Sequence, residues 1–205
     1  LIYLQVLESR KKYVLVGYSG HAISVCDIIQ ENNSIILGYC EVIEKKNNPY
    51  GIKFLGNERE LNFKLHLNNV FFVSIGNNQL RVDSSNYIRE NNGLLSNVIS
   101  KSSYLSKEIN LGTGIFISRN VTINAMTNIE DDVIINTSAS IDHECYIKKG
   151  SHIAPGAIIL GNVEIGKNSL IGANSVIKEG IKIGNNVIIG AGSVVLNDVK
   201  DNSTI

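Results

Sequence analysis

The chain reads as a small parallel α/β sheet followed by an all-β parallel helix built from hexapeptide repeats. Three observations predict this. An aliphatic residue recurs at every sixth position from Leu105 to Val195. Apolar, β-branched runs alternate with amphipathic stretches over the first hundred residues. Glycine turns close two of those runs, at Gly17–Gly20 and at Gly76. A chain of 205 residues accommodates two modest cores, and the boundary is expected near residue 100, giving domains over 12–100 and 101–205.

Lys12–Val16 (KYVLV) is a strand pattern that runs into the glycine turn Gly17-Tyr18-Ser19-Gly20-His21. From Ala22 to Glu31, Ile23, Val25, Cys26, Ile28 and Ile29 fall at helical spacing. Ser34–Tyr39 (SIILGY) predicts a second strand, followed by a polar loop with Pro49 and a short helix near Glu58–Leu65. Val70–Ile75 (VFFVSI) predicts a third strand ending in Gly76-Asn77-Asn78, then a helix over about Gln79–Asn91 and a fourth strand at Leu94–Ile99. Such alternation builds a parallel sheet whose ligand edge lies at the strand C-termini, where both glycine turns fall. Free N–H groups at the helix starts there suit phosphate. Gly17–Gly20 is not a full G-x-G-x-x-G, and the domain spans only about 90 residues, so a nucleotide-sugar matches its size better than a dinucleotide.

In the second half, sixteen consecutive positions at period six are Leu, Ile or Val. The residue four later is mostly small or β-branched, as at Ala139, Cys145, Ser151 and Ala157, and turn formers such as Gly150, Gly156, Asn162 and Asn168 lie between. Each unit is one short strand and one turn, and three units close an 18-residue coil. About five coils stacked at about 4.8 Å give a column roughly 24 Å tall. Aliphatic side chains fill its interior, so any chemistry must lie outside. The period leaves the handedness open, although parallel crossovers in general are right-handed.

Composition excludes several functions. Lysine plus arginine equals aspartate plus glutamate at 19 each, which argues against nucleic acid as the main partner. No apolar stretch of about 18 residues exists to span a membrane. The opening LIYLQVLES is too short and polar for a signal peptide and reads as a leader or an extra strand. Cys26, Cys40 and Cys145 form no C-x-x-C and no zinc-ligand spacing. They read as small core residues in a reducing, cytoplasmic setting.

His143 carries the chemical argument. It follows Ile141 by two, so it points outward, and Glu144 adjoins it. At 18-residue spacing its stacked neighbours are Ala125 and Gly161, which leaves it in a notch between minimal side chains. A carboxylate holding one ring nitrogen raises the basicity of the other, as general-base catalysis requires. His152 is expected at a turn on the next face, either contacting a second ligand or solvated. His21, in the glycine turn, either reaches a ligand or caps the helix start, and His66 reads as a surface residue. Pro155, Ala173 and Ala191 form a small outward column that leaves a flat groove wide enough for a pantetheine arm.

The strings V-G-Y-S-G-H, S-I-G-N-N-Q-L-R, I-N-T-S-A-S-I-D-H-E-C-Y-I and I-L-G-N-V-E-I-G together resemble the sialic acid O-acetyltransferase-like branch of the hexapeptide acyltransferases. That branch includes bacterial N-acetyltransferases of UDP-linked 4-amino-4,6-dideoxy sugars, as in bacillosamine synthesis. The resemblance covers nearly the whole chain from Lys12. It implies a Rossmann-like nucleotide-sugar domain, a left-handed β-helix, and a homotrimer with sites between subunits. It implies His143 as general base supported by Glu144, with Asn136 shaping the site. His152, Gly161, Ala173 and Ala191 would lie near acetyl-CoA, the co-substrate, and no metal is implied. Ser19, Gly20, His21, Gly76 and Asn77 would contact the nucleotide-sugar. The branch usually has paired aspartates after strand two; here Glu41 and Val42 stand there, so Glu41 alone would serve. The leading expectation is N-acetylation of such an amino sugar by direct attack. O-acetylation of sialic acid or another sugar hydroxyl is the alternative, and a non-enzymatic scaffold the third reading.

Overall fold

The computed structural model describes residues 10–60 and 69–205. The expected leader, His66 and most of the helix expected near Glu58–Leu65 lie outside them; Glu58–Glu60 is a single 3-10 turn. Strand β1 is Lys12–Val16, as its pattern predicts. Helix α1 spans Gly20–Glu31, β2 Ile35–Cys40, β3 Val70–Val73 and α2 Asn78–Glu90. Among the described residues these strands form one parallel sheet in the order β2-β1-β3. Gly17 and Gly76 sit at the C-terminal edge of this sheet, the edge at which open parallel sheets bind ligands. Gly17 holds φ +88°, and a Cβ there would lie 2.5 Å from Ile75 Cγ1, so only glycine fits the turn.

The expected fourth strand divides in two. Leu95 forms one bridge to Phe71, whereas Val98–Ile99 pairs with Phe116–Ile117 and opens the first coil. Ile99 is the aliphatic six residues before Leu105, so the repeat starts one unit earlier than Leu105, and its ladder captures the segment.

From Val98 to Val195, two-residue strands stack into three parallel faces. The first runs from Val98–Ile99 to Ile188–Ile189, the second from Tyr104–Leu105 to Val194–Val195, and the third from Asn110–Leu111 to Lys182–Ile183. The second residue of each strand points inward, and Ile123, Ile129, Ile135, Ile141 and Ile147 are fully buried. Burying each contributes roughly 1.5–3 kcal/mol. Every turn from Gly114 to Gly192 places one residue at positive φ at intervals of six, mostly Asn or Gly. The column is a left-handed parallel β-helix.

The two domains share a core. Val98, Phe116 and Ile134, which point outward from the lower first face, pack with Ala22, Val25, Cys26 and Phe72. The sheet domain therefore covers the lower half of that face; higher up His152 and Leu170 are half-buried and Ile188 is exposed.

Candidate active site

His143 sits at the corner between the second and third faces. Its Nδ1 donates to Glu144 Oε2 at 2.9 Å, and the side chain is half-exposed. The carboxylate can only accept, so in the neutral ring Nε2 keeps a free lone pair. The ring lies over Gly161: a Cβ there would be 2.6 Å from His143 Cε1 and 2.8 Å from Nε2. Below, Ala125 O accepts the Glu144 N–H at 3.0 Å. The notch expected from 18-residue spacing is therefore present. Glu144 adopts φ +59°, a left-handed conformation that turns elsewhere give mostly to Asn or Gly.

Asp142 escaped the sequence reading. Its Oδ1 accepts the His143 N–H at 2.9 Å and the Asn124 amide at 2.8 Å, and its Oδ2 lies 4.0 Å from His143 Nε2. The Asn124 and His143 hydrogen bonds hold its carboxyl below the usual range. Coil arithmetic could have found it, since Asn124 lies 18 residues before Asp142. Cys145, two residues beyond His143, points inward and donates to Leu160 O at 3.2 Å; burial pushes its thiol up to about 11. Cys26 and Cys40, both buried, are pushed up to about 12 for the same reason. None of the three is poised as a thiolate nucleophile.

A second cluster lies at the domain seam. His152 is not at a turn but opens the strand His152–Ile153, because it precedes an inward isoleucine by one and so points outward from the first face. Asn136 Oδ1 accepts the Thr137 N–H at 2.8 Å, which turns its amide nitrogen toward His152 Nε2 at 3.3 Å. Asn136 thus adjoins His152 and not His143 within one chain. Burial, reinforced by Arg81, lowers His152 to about 4. Burial, with His152 and Arg81 adding repulsion, lowers His21 to about 3. His21 stands edge-on to Phe116 at 4.8 Å, and its Nε2 is buried without a partner.

His152 lines a cleft of about 340 Å³ together with Gly76, Asn77, Asn78, Gln79, Asn168, Leu170, Asn186 and Ile188. Asn77 caps α2 by accepting the Leu80 N–H at 3.0 Å. Ser19 begins α1 without a side-chain cap bond, and nothing lies within 4 Å of a Cβ built on Gly20. Glu41 accepts the Tyr18 N–H at 2.8 Å and pairs with Lys45 at 3.3 Å, so it braces the glycine turn. Ala173 and Ala191 stack at the corner between the first and second faces, with Gly192 N–H donating to Ala173 O at 2.8 Å. One chain therefore separates the expected residues into a His143–Glu144–Gly161 corner and a His21–Gly76–Asn77–Asn136–His152 seam.

Residues 12–88 match the PglD N-terminal domain, and residues 162–197 match the bacterial transferase hexapeptide (six repeats). These two matches, on the two halves of the fold, define the class of the chain, an acyl-CoA-dependent sugar acetyltransferase with a hexapeptide-repeat β-helix. It is similar to the acetyltransferase domain of PglB from Neisseria gonorrhoeae, with TM-score 0.87 and 25% identity over 95% of this chain and 96% of that one. The same domain has been solved with acetyl coenzyme A (TM-score 0.88, 25% identity, 95% of each chain). It is also similar to a histidine-to-alanine variant of GDP-perosamine N-acetyl transferase from Caulobacter crescentus, in complex with CoA and GDP-perosamine. That likeness has TM-score 0.90 and 28% identity over 94% of this chain and 92% of that one.

Proposed function

We propose that the chain transfers the acetyl group of acetyl-CoA to the amino group of a nucleotide-linked 4-amino-4,6-dideoxy sugar, UDP-linked as first choice, with His143 as general base. The observation that carries this reading is the His143–Glu144 pair at 2.9 Å, its ring laid over Gly161 with Nε2 free. The amine nitrogen attacks the thioester carbonyl directly. Its C–N bond forms, His143 Nε2 accepts the amine proton, the C–S bond breaks, and the proton passes to the departing CoA sulfur. Similarity to proteins solved with acetyl coenzyme A or with CoA and GDP-perosamine supports both substrate classes. Ser19, Gly20, His21, Gly76 and Asn77 would hold the nucleotide-sugar, and His152, Gly161, Ala173 and Ala191 the CoA.

The corner and the seam lie on different faces of one chain, so a neighbouring copy would bring them together. An exposed apolar strip on the second face, with Ile158 41% and Val194 65% exposed, supports burial against a second copy. A homotrimer closes such contacts symmetrically. Acetyl-CoA as donor supports a cytoplasmic setting.

The test is acetyl transfer from acetyl-CoA to UDP-, dTDP-, GDP- and CMP-linked sugars, amino and hydroxyl acceptors separately. A UDP-linked amino sugar should be the best acceptor, and His143→Ala should lower kcat by on the order of 10²-fold. Full activity of that variant ends the base assignment, and transfer to hydroxyl acceptors alone ends the N-acetyl reading.

A further inference from the structure

The string S-I-G-N-N-Q-L-R ends in Arg81, to which the proposed chemistry gives no role, yet Arg81 is among the largest fully buried side chains, at 1% exposure. A buried guanidinium must satisfy its donors or destabilise the fold. Arg81 does so on two elements at once. Toward its own domain, Nη1 donates to Ile75 O and Gly76 O, both at 3.1 Å, and Nη2 to Asn78 Oδ1 at 2.9 Å. Toward the β-helix, Nε donates to Asp132 O and Nη2 to Gly150 O, both at 2.8 Å. Ser151 O lies at 3.4 Å, immediately before His152. Asn78 extends the bridge, its amide donating to Asn168 O at 2.9 Å.

We infer that Arg81 is a positioning residue that sets the glycine turn Gly76–Asn78 in register with the coil carrying His152, and so holds the nucleotide-sugar at the seam. The inference rests on the proposed binding of the acceptor at Gly76 and Asn77. Only a planar fork can serve carbonyls on both sides of the seam. An ammonium keeps the charge but cannot span them. Arg81 does not line the cleft and touches the proposed ligand contacts only through the backbone, so its effect should fall on acceptor binding. Of the proposed acetyl-CoA contacts, Gly161, Ala173 and Ala191 lie at corners Arg81 does not touch, and His152 is held by its own strand ladder, paired with Ile134 and Leu170 and donating its N–H to Ser169 O at 2.8 Å.

The experiment is steady-state kinetics of the full chain, varying each substrate, for wild type, Arg81→Lys and Arg81→Gln, with folding checked by circular dichroism. Arg81→Lys should raise KM for the nucleotide-sugar about tenfold or more and leave KM for acetyl-CoA within about twofold. Arg81→Gln, which keeps an amide donor but loses the charge and the fork, should produce the same split with a larger rise. Equal rises in both KM values, or a fall in kcat alone, assign Arg81 a general structural role and overturn the inference. Should Arg81→Lys fail to fold, the Arg81→Gln split decides alone: an unchanged nucleotide-sugar KM overturns the inference. Wild type that acetylates no nucleotide-sugar brings down the functional reading first, and the inference with it.

Discussion

At Gly161 the absence of one methyl group decides whether His143 can lie flat. Adding it brings a Cβ within 2.6 Å of the ring, whose half-exposed side chain can swing into solvent. Gly161→Ala should therefore lower kcat/KM about tenfold or more while thermal denaturation shows little change in Tm. A large loss of Tm would show instead that the ring cannot move. The seam histidines make a different residue-scale prediction. His152 and His21 titrate near 4 and 3 in the folded protein because burial opposes their charged forms. The unfolded chain takes up those protons near the ordinary histidine value of about 6.5. Between about pH 6.5 and 4 the unfolded state thus binds more protons, and stability falls as pH falls through that window. The loss should be roughly 1 kcal/mol per pH unit for each histidine, so about 3 kcal/mol per histidine across the window. Denaturant titrations across pH 4–7 should show a shallower slope in His152→Asn than in wild type.

Among elements, α2 is fastened to the β-helix through Asp132. Arg89 grips its carboxylate with Nη1 at 2.8 Å and Nη2 at 2.9 Å, while Arg81 Nε takes its carbonyl at 2.8 Å. The carboxylate is fully buried, and the residue is held at φ +61°. Deleting one partner of a buried pair leaves the other charge uncompensated, so Asp132→Ala should cost about 3 kcal/mol or more by urea denaturation. Ser138 is the opposite case. It holds φ +57° on an exposed turn, and turns elsewhere in the column mostly use Asn or Gly. Ser138→Asn should be neutral or stabilising, by up to roughly 1 kcal/mol. A stability loss would mean that the serine side chain serves a purpose of its own.

At the scale of the whole molecule, the three faces differ in character. The lower first face is buried under the sheet domain, the third presents Asn110, Asn128, Glu164 and Lys182 outward, and the second exposes Ile158 and Val194. The proposed homotrimer would cover that second face. Ile158→Asp with Val194→Asp should reduce the mass measured by light scattering to that of one chain, and should abolish transfer while the circular dichroism spectrum is retained. A monomeric wild type of full activity would show that one chain suffices.

The amino-acid sequence determined the β-helix, its coil length and the His143 notch, because a strict six-residue period assigns every residue a face and a stacked neighbour. Local arithmetic was enough to set Ala125 and Gly161 around His143. The same arithmetic, misapplied by one position, put His152 at a turn. Propensity and glycine turns determined β1, α1 and the helix after Gly76. Only the tertiary structure decided how the sheet domain sits on the column. Contacts such as Arg81 with Gly150, Arg89 with Asp132 and His21 with Phe116 join residues 43 to 95 positions apart in the chain. No local pattern encodes the register between the two cores; it is set by which outward residues of the first face are apolar and by which carbonyls a buried guanidinium can reach. For that reason Asn136 pairs with His152, Arg81 went unread until the seam was built, and the reactive corner and the proposed acceptor edge of a single chain lie apart.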